Sequence, residues 1–179
     1  LAPLFPDVSV AESYRTDKDN LQPTMFLLTP RFGFATEVPV AMRPEDEQMI
    51  QIMKERQQAT QPLLPSNLPN ILPEQVVYRS DSTPTHYEAF YSFIRPNNYS
   101  DLYNKNYTVT NSDMPYFDLD VPLNKEMFIT FRSKDAGGVS NPSPIYQFIK
   151  HNYGDGTYFS FEILEIDPPE ATITFENLL

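Results

Sequence analysis

The sequence predicts an all-β fold, a sandwich or barrel of short strands, preceded by an extended proline-rich arm with one short helix. The chain has 13 Phe and 11 Tyr, and aromatic residues favour strands. Ten of the 18 prolines fall in residues 1–75, whereas ten of the 11 tyrosines and nine of the 13 phenylalanines fall in residues 76–179. The material for an aromatic core therefore belongs to the second half of the chain.

The predicted arm covers residues 1–60. Its most apolar stretch is interrupted by Pro30 and Gly33, which argue against a central strand. The stretch therefore predicts an edge strand or an extended segment whose apolar side chains contact a neighbouring protein. These side chains are Phe26, Leu27, Leu28, Phe32 and Phe34.

One short helix is predicted in the arm, over about residues 44–58. Pro44 suits a first helical turn, and the acidic residues that follow it complement the positive end of the helix dipole. Met49, Ile52 and Met53 then share one face, at i, i+3 and i+4. This face either docks on its own protein or offers a methionine-rich contact to a partner.

A proline-rich spacer is predicted over residues 61–75. Prolines at 62, 65, 69 and 73 disfavour both helix and sheet, so polyproline II is expected, and at ~3.1 Å per residue it spans roughly 40 Å. Pro62 and Pro65 also match the PxxP pattern of Src-homology-3 ligands, but no basic residue flanks them, which disfavours that interpretation.

Residues 76–166 are predicted to form the β domain. Asp155-Gly156 between two apolar runs is a strong hairpin signal. Pro168-Pro169 ends the domain, and residues 167–179 form a C-terminal tail. The predicted strands cover residues 75–80, 86–95, 107–110, 116–120, 126–133, 143–150 and 157–166.

Residues 121–143 resemble the F strand, the FG loop and the start of the G strand of a divergent fibronectin type III domain. An alternating strand is followed by Gly138-x-Ser140-x-Pro142-Ser143, as in that family. The resemblance implies a fibronectin III/immunoglobulin-like β-sandwich over about residues 76–166. It places Met127, Ile129 and Phe131 toward the core and Phe128, Thr130 and Arg132 outward.

Charge and composition exclude several classes of function. A net charge of −11 argues against nucleic acid and anionic membrane as partners. Without cysteine and with two histidines, thiolate and histidine-rich metal sites are not expected. The acidic groups Asp17-Lys18-Asp19-Asn20 and Asp113/Asp118/Asp120 are interpreted as solvated surface.

No phosphate loop, dinucleotide fingerprint or nucleophile elbow occurs in the sequence. Gly137-Gly138 is interpreted as turn chemistry, and His86 and His151 as surface or strand-edge residues. We therefore expect no enzyme, no cofactor and no bound metal.

The leading hypothesis is a structural protein of a virus particle, a minor capsid or surface component assembled in the host cytoplasm. Its partners would be other structural proteins of a large assembly, and the start at Leu1 suggests an internal piece or a processed product. The alternative is an extracellular adhesion or carbohydrate-binding module. It draws on the glycosylation triplets at Asn98 and Asn106, and on aromatic loop residues that stack on sugars. Those aromatic residues are Tyr99, Tyr103, Tyr107 and Tyr116.

Overall fold

Antiparallel strands and one α-helix make up the part of the chain that the structure, a computed structural model, describes: residues 1–13, 23–60, 72, 74–154 and 156–166. The predicted all-β fold with one helix is therefore confirmed. Most of the predicted spacer, the whole predicted tail and the acidic group at 17–20 lie outside the described residues.

The small sheet has three strands in the order β1-β2-β7. They are β1 (Asp7–Glu12), β2 (Thr24–Thr29) and β7 (Tyr116–Leu119). Phe26 of β2 lies opposite Val10 of β1 and Phe117 of β7. Because side chains alternate along a strand, Phe26 and Leu28 share one face, and both are buried.

The large sheet has the order β11-β10-β8-β5-β6, and β9 pairs with the end of β8. Its strands are β5 (His86–Ser92), β6 (Asn106–Asn111), β8 (Met127–Asp135), β9 (Gly138–Val139), β10 (Tyr146–Asn152) and β11 (Thr157–Ile163). The predicted hairpin joins β10 to β11, with Asn152 opposite Thr157 and the Tyr153 amide donating to the Gly156 carbonyl at 3.1 Å.

The inner core lies between these two sheets. Met127, Ile129 and Phe131 of β8 are fully buried, as predicted. The Phe131 ring lies 5.8 Å from that of Phe26 and 6.0 Å from that of Phe117, both in the small sheet. Aromatic contacts across the sheets thus bind them together.

The outer face of the large sheet is also covered over its central strands β5 and β8, which corrects one prediction. Phe128, Thr130 and Arg132 are predicted to face outward, yet each is at most 1% exposed. Alternation along β8 predicts that one set of side chains is buried and the other is exposed to solvent. A strand that is covered on both faces buries both sets. Ile145 and Phe148 are likewise both buried, in different clusters on the two faces.

The cover comes from an insert between β2 and β5, defined here as residues 30–60 and 74–85. It contains β3 (Gly33–Glu37), α1 (Asp46–Thr60) and β4 (Val76–Ser80), and β3 pairs with β4. Met42 packs in one cluster with Phe90 and Phe128 on the outer face. The 3₁₀ helix Tyr99–Leu102 adds buried Leu102 to the same cluster.

The predicted arm is corrected by the pairing of its strands. Residues 1–60 are predicted to form an extended arm, with the β domain starting at residue 76. Instead β1 and β2 supply two of the three strands of the small sheet, and only β7 comes from the second half. Local sequence could not show this, because β2 pairs with a strand about ninety residues further along the chain.

Candidate functional site

The side chains predicted to bind a partner separate into buried and exposed groups. Phe26 and Leu28 lie in the inner core and Leu27 is half-buried, so these three are held by their own chain. Phe32 (59% exposed) and Phe34 (42%) remain on the surface. The prediction that these side chains contact a neighbouring protein is therefore wrong for Phe26 and Leu28, and it stays a prediction for Phe32 and Phe34.

The apolar face of α1 docks on the chain itself. Met53 is buried in a cluster with Leu4, Val76 and Val139, Met49 packs against its edge, and Ile52 is half-buried. Gly138, at φ +132°, permits the contact, since a Cβ there would lie 2.9 Å from the Met53 sulfur. Of the two roles considered for this face, the structure favours docking on its own protein.

A buried ionic network lies between β8 and the insert. Arg132, with a fully buried side chain, donates from Nε to Glu88 Oε1 at 2.8 Å. Its Nη1 and Nη2 donate to the two carboxylate oxygens of Asp46, at 2.8 and 3.3 Å. The guanidinium is thus shared by one carboxylate from the sheet and one from the first turn of α1.

Two further groups complete this network. Arg43 approaches Glu88 Oε2 at 3.4 Å, and the Tyr107 hydroxyl donates to the same oxygen at 2.5 Å. The backbone amides of Met42 and Arg43 donate to Asp46 Oδ2 at 2.9 and 2.8 Å. Two arginines thus balance two carboxylates, which is the condition for burying charge.

The network shifts the protonation of its members in defined directions. Burial raises the pKa of Asp46, but the hydrogen bonds and charge of Arg132 outweigh it and hold the pKa below its usual range. Burial, followed by the bond to Glu88 and the charge of that carboxylate, raises the pKa of Tyr107 to about 12. At neutral pH Asp46 is therefore a carboxylate and Tyr107 a neutral hydroxyl donor, so we assign the network a structural role, fastening the insert to the sheet.

Sequence reasoning missed this network. Arg132 stands 44 residues from Glu88 and 86 from Asp46, and the sequence carries no signal that these partners meet. One clue was present, since Arg132 directly follows the apolar and hydroxyl-bearing residues 127–131 of the same strand. Such a charge needs a buried partner once the strand is covered on both faces.

An aromatic patch lies at the β10–β11 hairpin, defined here as His151, Tyr153 and Tyr158. Ring centroids are 5.8 Å apart for His151–Tyr153, 4.8 Å for His151–Tyr158 and 5.1 Å for Tyr153–Tyr158, and the planes differ by at most 26°. Tyr153 is 62% exposed and Tyr158 is 52% exposed. The patch is therefore a broad aromatic surface open to a partner.

A cleft of about 570 Å³ lies at the opposite end of β11. It is lined by Tyr99, Pro144, Ile145 and residues 163–166, and Ile163 at its border is 60% exposed. Ile145 belongs to the outer-face cluster, so the cleft opens on the outer face of the large sheet.

The tyrosines considered as sugar-stacking residues do not gather in one surface. The Tyr99 hydroxyl donates to the Ser143 carbonyl at 3.0 Å, and the Tyr107 hydroxyl is held by Glu88. Tyr103 and Tyr116 are half-buried. The exposed aromatic patch was missed although Tyr153 follows His151 by two residues, because bringing Tyr158 opposite His151 requires the register of the predicted hairpin.

The two glycosylation triplets lie on exposed backbone. Asn98 caps the 3₁₀ helix, and its side-chain oxygen accepts from the Asp101 amide at 3.1 Å. Asn106 begins β6, and its side-chain amide donates to the Tyr91 carbonyl at 3.3 Å. Both asparagines therefore have local structural roles.

Within the described ranges, no group of three or more His, Asp or Glu side chains is arranged to hold a metal ion. His86 lies 3.0 Å from the Thr85 hydroxyl, and His151 belongs to the aromatic patch. Over the same parts of the chain, no helix has both the length and the apolar composition needed to cross a membrane. No protein-family model matches the chain, and a search of curated proteins finds no significant match.

Proposed function

We propose that this chain is a structural protein of a virus particle, a minor capsid or surface component that acts through contacts with neighbouring proteins. The observation that carries the proposal is the exposed apolar surface along the β10–β11 hairpin. Tyr153 in the turn and Tyr158 of β11 are each more than half exposed there, with ring centroids 5.1 Å apart. Clustered apolar side chains on a sheet edge are typical of surfaces that pair with another protein.

The kind of β fold is part of the proposal: a divergent fibronectin type III-like sandwich. In immunoglobulin-like sandwiches, strands A, B and E lie in one sheet and C, F and G in the other. The orders β1-β2-β7 and β6-β5-β8-β10 fit this scheme, with β6 in the place of an additional C′ strand. The strand and loop at 127–143 support it, because they fall at the F, FG and G positions.

The fold alone hosts many functions, so the particle must be tested directly. Antibodies raised against the folded chain would be used for immunogold electron microscopy of particle fractions from the cells that carry the gene. Labelling of regular particles is the expected result. Labelling confined to soluble material or to cell surfaces would overturn the proposal.

A second candidate function, an extracellular adhesion or carbohydrate-binding module, is favoured by the aromatic patch. Flat exposed rings offer a stacking surface for sugars, and Tyr153 and Tyr158 also carry hydroxyls. A glycan array probed with the full chain tests this, with Tyr158→Ala as the matched variant. Binding that is lost in the variant supports the module, and an array without signal contradicts it.

A further inference from the structure

Strand β11 is an edge with few of the features that protect edges from pairing. Among the described residues it pairs only with β10, in seven continuous register pairs without a bulge. It contains no Lys, Arg or Pro, and Glu162 is its one charged residue. Natural proteins usually guard a free edge with lysine, proline or a bulge, so β11 is suited to accept another strand.

The backbone groups that β11 offers outward can be identified. Leu164 donates its amide inward to the Ile145 carbonyl at 2.7 Å, and Tyr153 donates to Gly156 at the other end of the hairpin. Because backbone groups alternate in direction along an antiparallel strand, Ile163 and every second residue before it point away from β10. Thr157, Phe159 and Phe161 therefore also direct their amides and carbonyls away from β10, where no other described strand pairs with them.

The two ends of β11 carry complementary surfaces on the same face of the sheet. At one end of β11, Tyr158 lies opposite His151 of β10, and His151 follows Ile149 by two residues. At the other end of β11, the cleft is lined by Ile145. Ile145, which directly precedes β10 and belongs to the outer-face cluster, lies an even number of positions before His151, so both point to the outer face. One end thus presents exposed rings and the other presents an apolar cleft.

We infer that β11 pairs with β11 of a second copy of this chain, antiparallel and about a twofold axis at Ser160. This register overlaps all seven residues and sets outward-pointing residues opposite each other, Phe159 against Phe161 and Thr157 against Ile163. It allows about eight backbone hydrogen bonds, two for each facing pair. Each aromatic patch is brought to the border of the other copy's cleft.

Charge bears on the proposed pairing in two ways. The chain carries a net charge of −11, which opposes association of two copies in general. In the proposed pairing, however, Glu162 faces Tyr158 of the other copy, whose hydroxyl can donate to the carboxylate. A twofold contact is closed, so it yields a dimer and not an open filament. The inference goes beyond the proposed function by naming one contact between copies of the chain. That contact does not depend on the chain belonging to a virus particle.

A cysteine test follows from the register, because the full chain contains no cysteine. In the proposed register Ser160 of one copy lies opposite Ser160 of the other, in a pair without backbone hydrogen bonds. The Cα atoms of such a pair lie about 4.5 Å apart, which is within disulfide range. S160C should therefore form a disulfide-linked dimer on mild oxidation, about tenfold or more faster than a control, because pairing raises the local thiol concentration. The matched control is V109C, at a half-exposed site on the opposite edge strand β6.

A charge test uses the same position. S160K and S160E alone should sediment as monomers in analytical ultracentrifugation, whereas the unmodified chain sediments at about twice its 20.7 kDa mass. An equimolar mixture of the two variants should restore the dimer, because the ammonium introduced in one copy then faces the carboxylate introduced in the other. Circular dichroism establishes that each variant is folded. If either is not, Y158E, at a site 52% exposed, is tested alone: it sets a second carboxylate opposite Glu162 of the other copy and should sediment as a monomer.

The results that would overturn the inference are distinct. They are S160C linking no faster than V109C, or an unmodified chain that stays monomeric throughout the micromolar range. Faster linking of V109C would move the contact to β6. None of these three results affects the immunogold labelling of particles. The inference and the proposed function can therefore fail separately.

Discussion

Arg132 is a charged side chain that is completely removed from solvent. Its guanidinium is fully buried and is held by Asp46 and Glu88, each at 2.8 Å. A buried ion pair adds little net stability compared with an apolar replacement of both partners, but removing one partner leaves the other charge stranded. Arg132 therefore makes the position of the insert specific.

Replacing Arg132 by methionine should lower the free energy of unfolding by about 3–5 kcal/mol, because two buried carboxylates lose their counter-charge. Urea denaturation followed by circular dichroism measures this. Arg79→Met is the control, since Arg79 pairs with Asp81 on the surface and such a pair contributes about 0–1 kcal/mol. Equal losses in the two variants would contradict the structural role assigned to the network.

Tyr107 should ionise about two pH units later than a free tyrosine, whose pKa is about 10. Burial is the main cause, followed by the hydrogen bond to Glu88, and together they raise the pKa of Tyr107 to about 12. Absorbance titration of tyrosinate in the wild type, minus that of Tyr107→Phe, isolates this group. A difference curve centred near pH 10 would show that the Tyr107 hydroxyl is neither buried nor bonded to Glu88.

The sign of the associated stability change follows from the same shift. The folded pKa of Tyr107 lies above the unfolded value, so the native state keeps a proton that the unfolded chain loses between about pH 10 and 12. The stabilising contribution is complete below pH 10 and is lost as the pH rises through that window. Alkaline unfolding of Tyr107→Phe should therefore depend less steeply on pH than that of the wild type.

Phe26 of strand β2 packs against aromatic residues from the second half of the chain. Phe26 is fully buried, with ring centroids 5.3 Å from Phe148 and 5.8 Å from Phe131. Phe26→Ala should cost about 3–5 kcal/mol through lost transfer energy and the cavity left behind. Thermal or urea unfolding of the full chain measures the loss.

Phe32 supplies the matched control for that change, because it belongs to the same apolar stretch of sequence but is 59% exposed. Phe32→Ala should change stability by less than about 0.5 kcal/mol. Similar costs for the two variants would mean that Phe26 lies outside the core.

The strands of the second half could be predicted from sequence because their signals are local. Alternation located β8 and its inward residues Met127, Ile129 and Phe131, and the Asp-Gly turn located the β10–β11 hairpin. The acidic first turn located α1, which begins at Asp46. The face of β8 that carries Arg132 could not be predicted, because its burial depends on an insert from a distant part of the sequence.

At the scale of the whole molecule, the two halves of the chain form one folding unit. A fragment of residues 76–179 would lack β1 and β2, and with them Phe26 and Leu28 of the inner core. We expect this fragment to show no cooperative unfolding transition, since β7 alone cannot cover the inner face of the large sheet. Calorimetry of the fragment beside the full chain checks this, and a sharp transition in the fragment would restore the predicted domain boundary.

The central strands of the large sheet are buried on both faces, and this affects how the chain folds. Each covering layer comes from sequence far from the strands it covers: Asp46 lies 86 residues from Arg132. Contacts at such separations raise contact order and slow folding, since long loops must close before the contacts form. Before the insert closes, Phe90, Phe128 and Ile145 lack their cover, so we expect newly made copies to be most prone to aggregation at that stage.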